Sequence, residues 1–234
     1  MSGKLYLIPA PISQESIDRV LPAEVQRRIA ELSYFIVEQP KTARQFLKQL
    51  DLHRPLQDLQ MLTLNEHTLA KELPLLLEPV LAGHDAGLLS EAGCPAVADP
   101  GAELVRLAHK YNITVTPLVG PSSILLALMA SGLNGQRFAF HGYLPVESAA
   151  RASRITELEK LSIRLKQTQI FIEAPYRNQK LLEQLVAVCS DGTDLCIASN
   201  LTFSSEKVMT KPVREWRRSL PDINKIPAIF LLQG

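Results

Sequence analysis

LLSEAGCPAVADPG, residues 88–101, is an apolar strand end that runs into a turn of small and rigid residues. Leu88 and Leu89 close a short buried-strand pattern, and Gly93, Pro95, Pro100 and Gly101 then punctuate the chain around Ser90, Glu91 and Asp99. Glycine admits close backbone approach that a Cβ would block. Proline fixes φ and removes a donor, so the loop is stiff. Open α/β sheets place ligands against loops at the carboxyl ends of their strands; an ordinary strand-to-helix connector has the same composition. Beyond the loop, Leu104, Leu107, Ala108 and Tyr111 recur at helical spacing, which predicts a helix over Glu103–Tyr111.

The same alternation extends outward from this loop. On its N-terminal side, Leu5–Ile8, Tyr34–Val37, Gln60–Leu64 and Ala86–Leu89 read as strands. Between them lie a helical pattern through Val20, Val25, Ile29 and Leu32, a helix over Lys41–Leu50, and a leucine-rich helix over Leu69–Leu81 with Pro74 near its first turn. Ile113–Pro117 follows as a strand, so this half is an α/β domain with a mostly parallel sheet. Gly120-Pro121-Ser122-Ser123 breaks the chain and starts a helix, with Ser122 or Ser123 as its N-cap. The expected boundary lies near Leu118–Pro121, dividing domains 1–118 and 119–234. In the second domain Arg137–His141, Gln169–Glu173, Leu195–Ser199, Glu206–Thr210 and Ala228–Leu232 are strand-like. Only two long helices, Ser148–Lys166 and Asn178–Cys189, stand among them, which predicts a mixed, partly antiparallel sheet.

Composition narrows the function classes. The 234 residues are 46% apolar and 21% charged, as in a globular protein with a substantial core. A net charge of +1 gives no strong global field, so nucleic-acid binding has to come from local patches. Three cysteines, Cys94, Cys189 and Cys196, do not make a disulfide framework, and the last two are expected as buried free thiols. The apolar run near the N-terminus is too short for a signal peptide. The uncharged stretch Ile113–Gln136 is broken by Pro117, Gly120 and Pro121, so its apolar part, Ile124–Ala130, reads as a core helix and not a membrane span. A cytoplasmic protein without membrane association is expected. The five histidines are far apart and form no H-x-x-x-H or carboxylate cluster, so no metal site is expected. Dinucleotide, P-loop and nucleophile-elbow motifs are absent from the sequence. What stands out are punctuated strand ends at Pro9–Pro11, Leu89–Gly101, Gly120–Ser123 and Glu173–Arg177; if they converge, they form a crevice for a compact polar ligand.

The ordered segments LYLIPAPI, LLSEAGCPAVADPG, VGPSSILLALMASGL, FAFHGYLP and FIEAPYR resemble the tetrapyrrole methylase superfamily. Within it they are most similar to the ribosomal small-subunit RNA (cytidine-2′-O)-methyltransferase I family, with its L-I-S-D-A-G-T-P-x-I-S-D-P-G, G-P-S-A, S-G-L, G-F-L-P and E-S-P-H-R motifs. The resemblance implies two α/β domains, a mostly parallel N-terminal sheet and a mixed C-terminal one, with S-adenosylmethionine in the cleft between them, usually in a homodimer. Carried over by position, the implied cofactor contacts are Pro11, Ala92, Gly93, Cys94, Val97, Ser122, Ser123, Ile172 and Ala198. Core packing is an equal reading for Ile172 and Ala198, and helix capping for the serines. Where the family has E-D-T-R this chain has Glu38-Gln39-Pro40-Lys41, and where it has R-E-L-T-K this chain has Ser199-Asn200-Leu201-Thr202-Phe203. Glu91 replaces an aspartate and Tyr176 a histidine. A retained cofactor site with an altered or reduced acceptor site is the expectation.

The implied reaction is methyl transfer to a ribose 2′-hydroxyl of ribosomal RNA. Because the sulfonium is an activated donor, the protein has to align nucleophile and methyl group. It also has to take the hydroxyl proton. Glu38, Lys41 and Glu173 are candidates for that step by placement, and both glutamates also read as surface or structural carboxylates. Arg151, Arg154 and Arg177 are candidates for phosphate contacts; for the two helical arginines a solvated face interrupted by Glu157 and Glu159 is the competing reading. Two other functions stay open at this point: methylation of a small, tetrapyrrole-like molecule, and cofactor binding without turnover in a chain that has lost motif charges.

Overall fold

Short apolar runs form the strands, and the interior ones, Tyr34–Val37 and Ala86–Leu89, are buried on both sides. The computed structural model describes residues 2–13, 15 and 17–234, and the chain divides into two units, Met1–Ser122 and Ser123–Gly234. The first unit runs β1 (Lys4–Ile8), α1 (Ala23–Ala30), β2 (Tyr34–Val37), α2 (Pro40–Leu47) and β3 (Gln60–Thr63). It continues with α3 (Leu73–Leu76), α4 (Glu78–Leu81), β4 (Ala86–Leu89), α5 (Gly101–Lys110) and β5 (Thr114–Pro117). Its five strands are all parallel, in the order β3-β2-β4-β1-β5. Alternation along β2 sends Phe35 and Val37 into one core with Ile8, Ile29 and Leu47, and Ile36 into the other with Leu5, Leu88 and Leu104. Helices α1 and α2 therefore cover one face, and α3 to α5 the other.

The leucine-rich helix expected over Leu69–Leu81 is broken. A 3₁₀ turn at Ala70–Glu72 precedes α3, and α4 begins afresh after Leu77. Pro74 and Pro79 each sit in the first turn of the next piece, because a proline cannot donate to the preceding turn and its ring collides with the carbonyl four residues back. Leu73, Leu76, Leu77 and Val80 stay buried despite the break. Helix α2 also stops short of Leu50, at Leu47, and starts with Pro40 at a position where a missing N–H costs nothing.

The second unit holds α6 (Ser123–Ser131), β6 (Phe138–Tyr143), α7 (Ser148–Leu165), β7 (Thr168–Ile172) and α8 (Asn178–Val188), then β8 (Asp194–Ser199), β9 (Lys207–Pro212), α9 (Val213–Trp216) and β10 (Ala228–Gln233). The strand order is β6-β7-β10-β8-β9; only β6 and β7 are parallel. Helices α7 and α8 pack on one face around Ile155, Leu181, Leu185 and Phe230, and α6 covers the other around Ala127, Cys196 and Leu231. The short α9 carries no periodicity to announce it; Trp216 locks it down by donating from Nε1 to the Leu195 carbonyl at 2.8 Å. Cys189 and Cys196 are buried free thiols, and burial pushes the Cys189 thiol up to about 12. Among the described residues, no helix is long and apolar enough to cross a membrane, and no group of His, Cys, Asp and Glu is placed to hold a metal ion.

Two carboxylates anchor α7, one at its start and one along its buried face. Glu147 caps its first turn, accepting from Ala149 N at 2.9 Å and Ala150 N at 2.6 Å, and these bonds hold its carboxyl below the usual range. Glu159, buried further along, accepts from Ser190 N at 2.7 Å and from the Thr193 hydroxyl, tying α7 to the turn before β8. Replacing Glu159 with alanine leaves those buried donors without an acceptor, and the expected loss is about 1–3 kcal/mol of unfolding free energy by denaturant titration. Glu159→Gln, which keeps one acceptor oxygen, should lose less; equal midpoints for wild type and alanine variant would contradict this role.

Candidate functional site

Three of the punctuated strand ends meet in the first unit. Ala10 and Gly93 exchange two backbone hydrogen bonds, Ala10 N to Gly93 O at 2.8 Å and Gly93 N to Ala10 O at 2.9 Å, so the loops after β1 and β4 are tied directly together. Gly93 does this at φ +73°, a conformation that favours glycine. The Gly120–Ser122 segment joins them: a Cβ on Gly120 would lie 2.4 Å from Pro9 Cβ, and Cys94 Sγ is 3.5 Å from the Pro121 carbonyl oxygen. The fourth strand end, Glu173–Arg177, belongs to the second unit.

The loop after β4 is closed from within. Asp99 Oδ1 accepts from Ala96 N and Gly101 N, both at 2.8 Å. Ala96 at φ 64° and Ala98 at φ 58° are left-handed without being glycine, a strain that small residues tolerate best. The run of alanines and glycines in SEAGCPAVADPG thus has a local cause: the backbone is bent hard enough that bulk is excluded.

A cavity of about 450 Å³ opens between these loops and α2. Ala10, Pro11, Ile12 and Ser13 line it from the β1 side and Leu89, Ser90, Glu91 and Ala92 from the β4 side. Thr42, Ala43, Gln45, Phe46 and Gln49 close it from α2. Strand β1 hands the chain toward β2 and β4 hands it the opposite way toward β5, so the cavity lies at the topological switch point of the sheet. Among the described residues its lining mixes apolar side chains with Ser13, Thr42, Gln45, Gln49 and Ser90, and carries one carboxylate, Glu91, and no lysine or arginine. Glu38 follows β2 directly, and its neighbour Val37 is in register with Leu89 of β4. Burial first, and then Glu91, Asp99 and Glu66, raise its carboxyl pKa above the ordinary value.

Pro11 and Ala92 line the cavity. Gly93 is buried in the loop-to-loop bridge, Cys94 is half-buried with its thiol pKa raised by burial, and Val97 is exposed. Ser122 and Ser123 are both half-buried; Ser122 is the last residue of the first unit, and Ser123 opens α6. Ile172, at the end of β7, is half-buried, and Ala198 of β8 is buried in the α6-side core. Lys41 is exposed in the first turn of α2. Glu173 and Arg177 pair with each other. Arg154 bonds Glu157 at 2.6 Å and His141 Nδ1 at 3.3 Å. Arg151 is turned inward: it is buried, donates to Gln184 Oε1 and the Val146 carbonyl, and so joins α7 to α8 instead of facing solvent. The α2 contribution is absent from the sequence reading. Its signal was the spacing of Thr42, Gln45, Phe46 and Gln49, one helical face carrying polar groups where a core-facing helix carries apolar ones.

Comparison with known proteins adds an independent line. The family model described as Tetrapyrrole (Corrin/Porphyrin) Methylases matches residues 4–216. A protein of Xylella fastidiosa named Ribosomal RNA small subunit methyltransferase I is 33% identical over 207 residues, covering 88% of this chain and 71% of its own. One of the same name from Vibrio cholerae is 29% identical over 235 residues, covering 98% and 77%. Among solved structures, the methyltransferase CobJ superposes with a TM-score of 0.66 at 16% identity, covering 100% of this chain and 95% of its own. The cobalt precorrin-4 methyltransferase CbiF gives 0.63 at 15%, covering 98% and 94%. At these identities the two structures speak to the fold.

The raised carboxyl of Glu38 has a consequence for stability. Because the fold favours its protonated form, Glu38 contributes stability that is fully present below the unfolded carboxylate pKa and is lost as pH rises through the folded one. Glu38→Gln removes that loss, so the variant should melt above wild type at neutral pH, and the gap should close below about pH 4. A variant that melts lower at neutral pH, or a gap that does not change with pH, would contradict the assignment.

Proposed function

This chain belongs to the tetrapyrrole methylases and, within them, to the rRNA small subunit methyltransferase I family, and we propose that it transfers the methyl group of S-adenosylmethionine to a ribose 2′-hydroxyl of small-subunit ribosomal RNA. The observation that carries this reading is the cavity at the switch point: rigid loops, a partly polar lining and, among the described residues, one carboxylate and no basic side chain. Such a lining suits a cationic sulfonium and a polar amino-acid and nucleoside body. When bound, S-adenosylmethionine supplies an already activated methyl group.

The chain's own residues then have two tasks. The loops bridged by Ala10 and Gly93 fix the ligand's position, with Pro11, Ala92, Gly93, Cys94, Val97 and Ser122 as its contacts, so that the attacking oxygen has one line of approach. Glu38 accepts the hydroxyl proton, a role that its raised carboxyl pKa favours, and Lys41 is the alternative on the next turn. Glu173, whose carboxylate holds the Arg177 guanidinium, is a positioning residue. Arg177 and Arg154 meet phosphates of the acceptor strand. A ribosomal substrate places the protein in the cytoplasm. Helix α6 is apolar on every side, with Leu125 51% and Met129 78% exposed one turn apart, and a second copy of the chain covers that stripe.

Calorimetric titration with S-adenosylmethionine tests the cofactor half. The wild type should bind, and Ala92→Trp, which fills the cavity from an exposed position, should bind at least about tenfold more weakly with an unchanged circular dichroism spectrum. Glu38→Gln should bind like the wild type yet lose about 10²- to 10⁴-fold in methyl-transfer rate. A wild type that binds nothing, or an Ala92→Trp variant that binds equally well, would refute the assignment.

A further inference from the structure

The parallel strands β6 and β7 end in two tyrosines that stand in solvent. Tyr143 closes β6 in register with Ile172 and is 60% exposed; Tyr176 comes four residues after the end of β7 and is 65% exposed. The register slips between Phe140 and Tyr143, where Gly142 takes φ +64°. A bulge of this kind re-aims the side chains that follow it. Leu144 is buried directly behind Tyr143, and Pro145 stiffens the exit.

Tyr176 is held more firmly. It sits in the 3₁₀ turn Pro175–Arg177, and the Arg177 guanidinium lies over its ring, 5.3 Å from the centroid. That guanidinium is fixed in turn by Glu173 Oε1, which accepts from Arg177 Nε at 2.8 Å and Nη2 at 2.5 Å, and from Ala174 N at 2.7 Å. The Glu173 side chain is fully buried, and its Oε2 has no hydrogen-bond partner. A buried carboxylate with one overcommitted and one unpaired oxygen costs stability. What it secures here is one arginine against one ring. Hydrogen bonding to Glu173 pushes the Arg177 pKa further up, and Tyr176 and Tyr143 are both close enough to add to the effect.

An exposed tyrosine alone means little. A ring backed on one face by a fixed cation offers flat π surface with little entropy left to lose, and a second exposed ring, at the end of the neighbouring strand, lies close enough to act on the same cation. Unpaired nucleobases stack on surfaces of this kind, whereas a duplex keeps its base faces covered. We propose that Tyr143 and Tyr176, with Arg177 as the backing cation, form a stacking platform for an unpaired base of the RNA acceptor. This inference rests on the RNA-methyltransferase reading above and adds that the acceptor is read as a single strand.

The test uses the full-length chain and a short unstructured RNA oligonucleotide carrying one 2-aminopurine, free and as a duplex with its complement. The wild type should bind the single strand with a change in 2-aminopurine emission and bind the duplex weakly. Tyr176→Ala and Tyr143→Ala should each weaken single-strand binding about tenfold. The phenylalanine variants should stay within about twofold of wild type, because the ring and not the hydroxyl stacks. S-adenosylmethionine affinity should be the same in all of them. The salt dependence should be retained in the alanine variants and flattened by Arg154→Ala, since only the latter removes a phosphate contact. Alanine variants that bind the oligonucleotide like the wild type overturn the platform while the RNA reading stands. A wild type that binds S-adenosylmethionine but neither RNA form overturns the RNA reading and the platform with it.

Discussion

Two backbone hydrogen bonds between Ala10 and Gly93 set the geometry on which the candidate site depends. They join loops from adjacent strands whose connections leave in opposite directions, at the place where a parallel sheet has room for a ligand. Each surrounding requirement follows from keeping that bridge. Gly93 has to be left-handed, Gly120 has to lie against Pro9 without a Cβ, and Asp99 has to hold the strained alanines behind the bridge. The cavity lined by Glu91, Ser90 and the polar face of α2 is the space these constraints leave. Few of its walls depend on long, flexible side chains, so it is held open by backbone.

Carboxylates withdrawn from solvent to different degrees divide the labour differently in the two units. In the second, Glu159 collects donors to fasten a helix to a turn, and Glu173 fastens an arginine to a surface ring. Both are acceptors committed to fixed partners. In the first, Glu38 meets other carboxylates, and burial and repulsion act in the same direction on its proton. Carboxylates with committed donors serve architecture, whereas one that the fold prefers protonated is suited to take a proton from a substrate.

Much of the fold was legible because its strands are short, apolar and punctuated. Tyr34–Val37 and Ala86–Leu89 are read from end to end, since a strand buried on both faces needs no alternation and stops where polar residues begin. The loops around Pro9, Gly93 and Gly120 were legible for the same reason, glycine and proline being conformational instructions. The break at Leu77 was hidden because the leucine period survives it; only Pro79 marked the interruption. Arg151 was hidden for a deeper reason. Whether a helical arginine turns inward depends on its partner, here Gln184 on another helix, and spacing within one helix carries no trace of that. The polar stripe on α2 lay in plain view, but its meaning required the cavity it faces.

Methyl transfer to ribose is the proposed activity on which the reading of the cavity and of Glu38 rests. Incubating the protein with small ribosomal subunits and isotopically labelled S-adenosylmethionine tests it most directly, with the RNA then digested to nucleosides for mass spectrometry. The account predicts a labelled 2′-O-methylnucleoside, approaching one per subunit. Binding of S-adenosylmethionine with no label in RNA, or label on a base instead of a ribose, would contradict it.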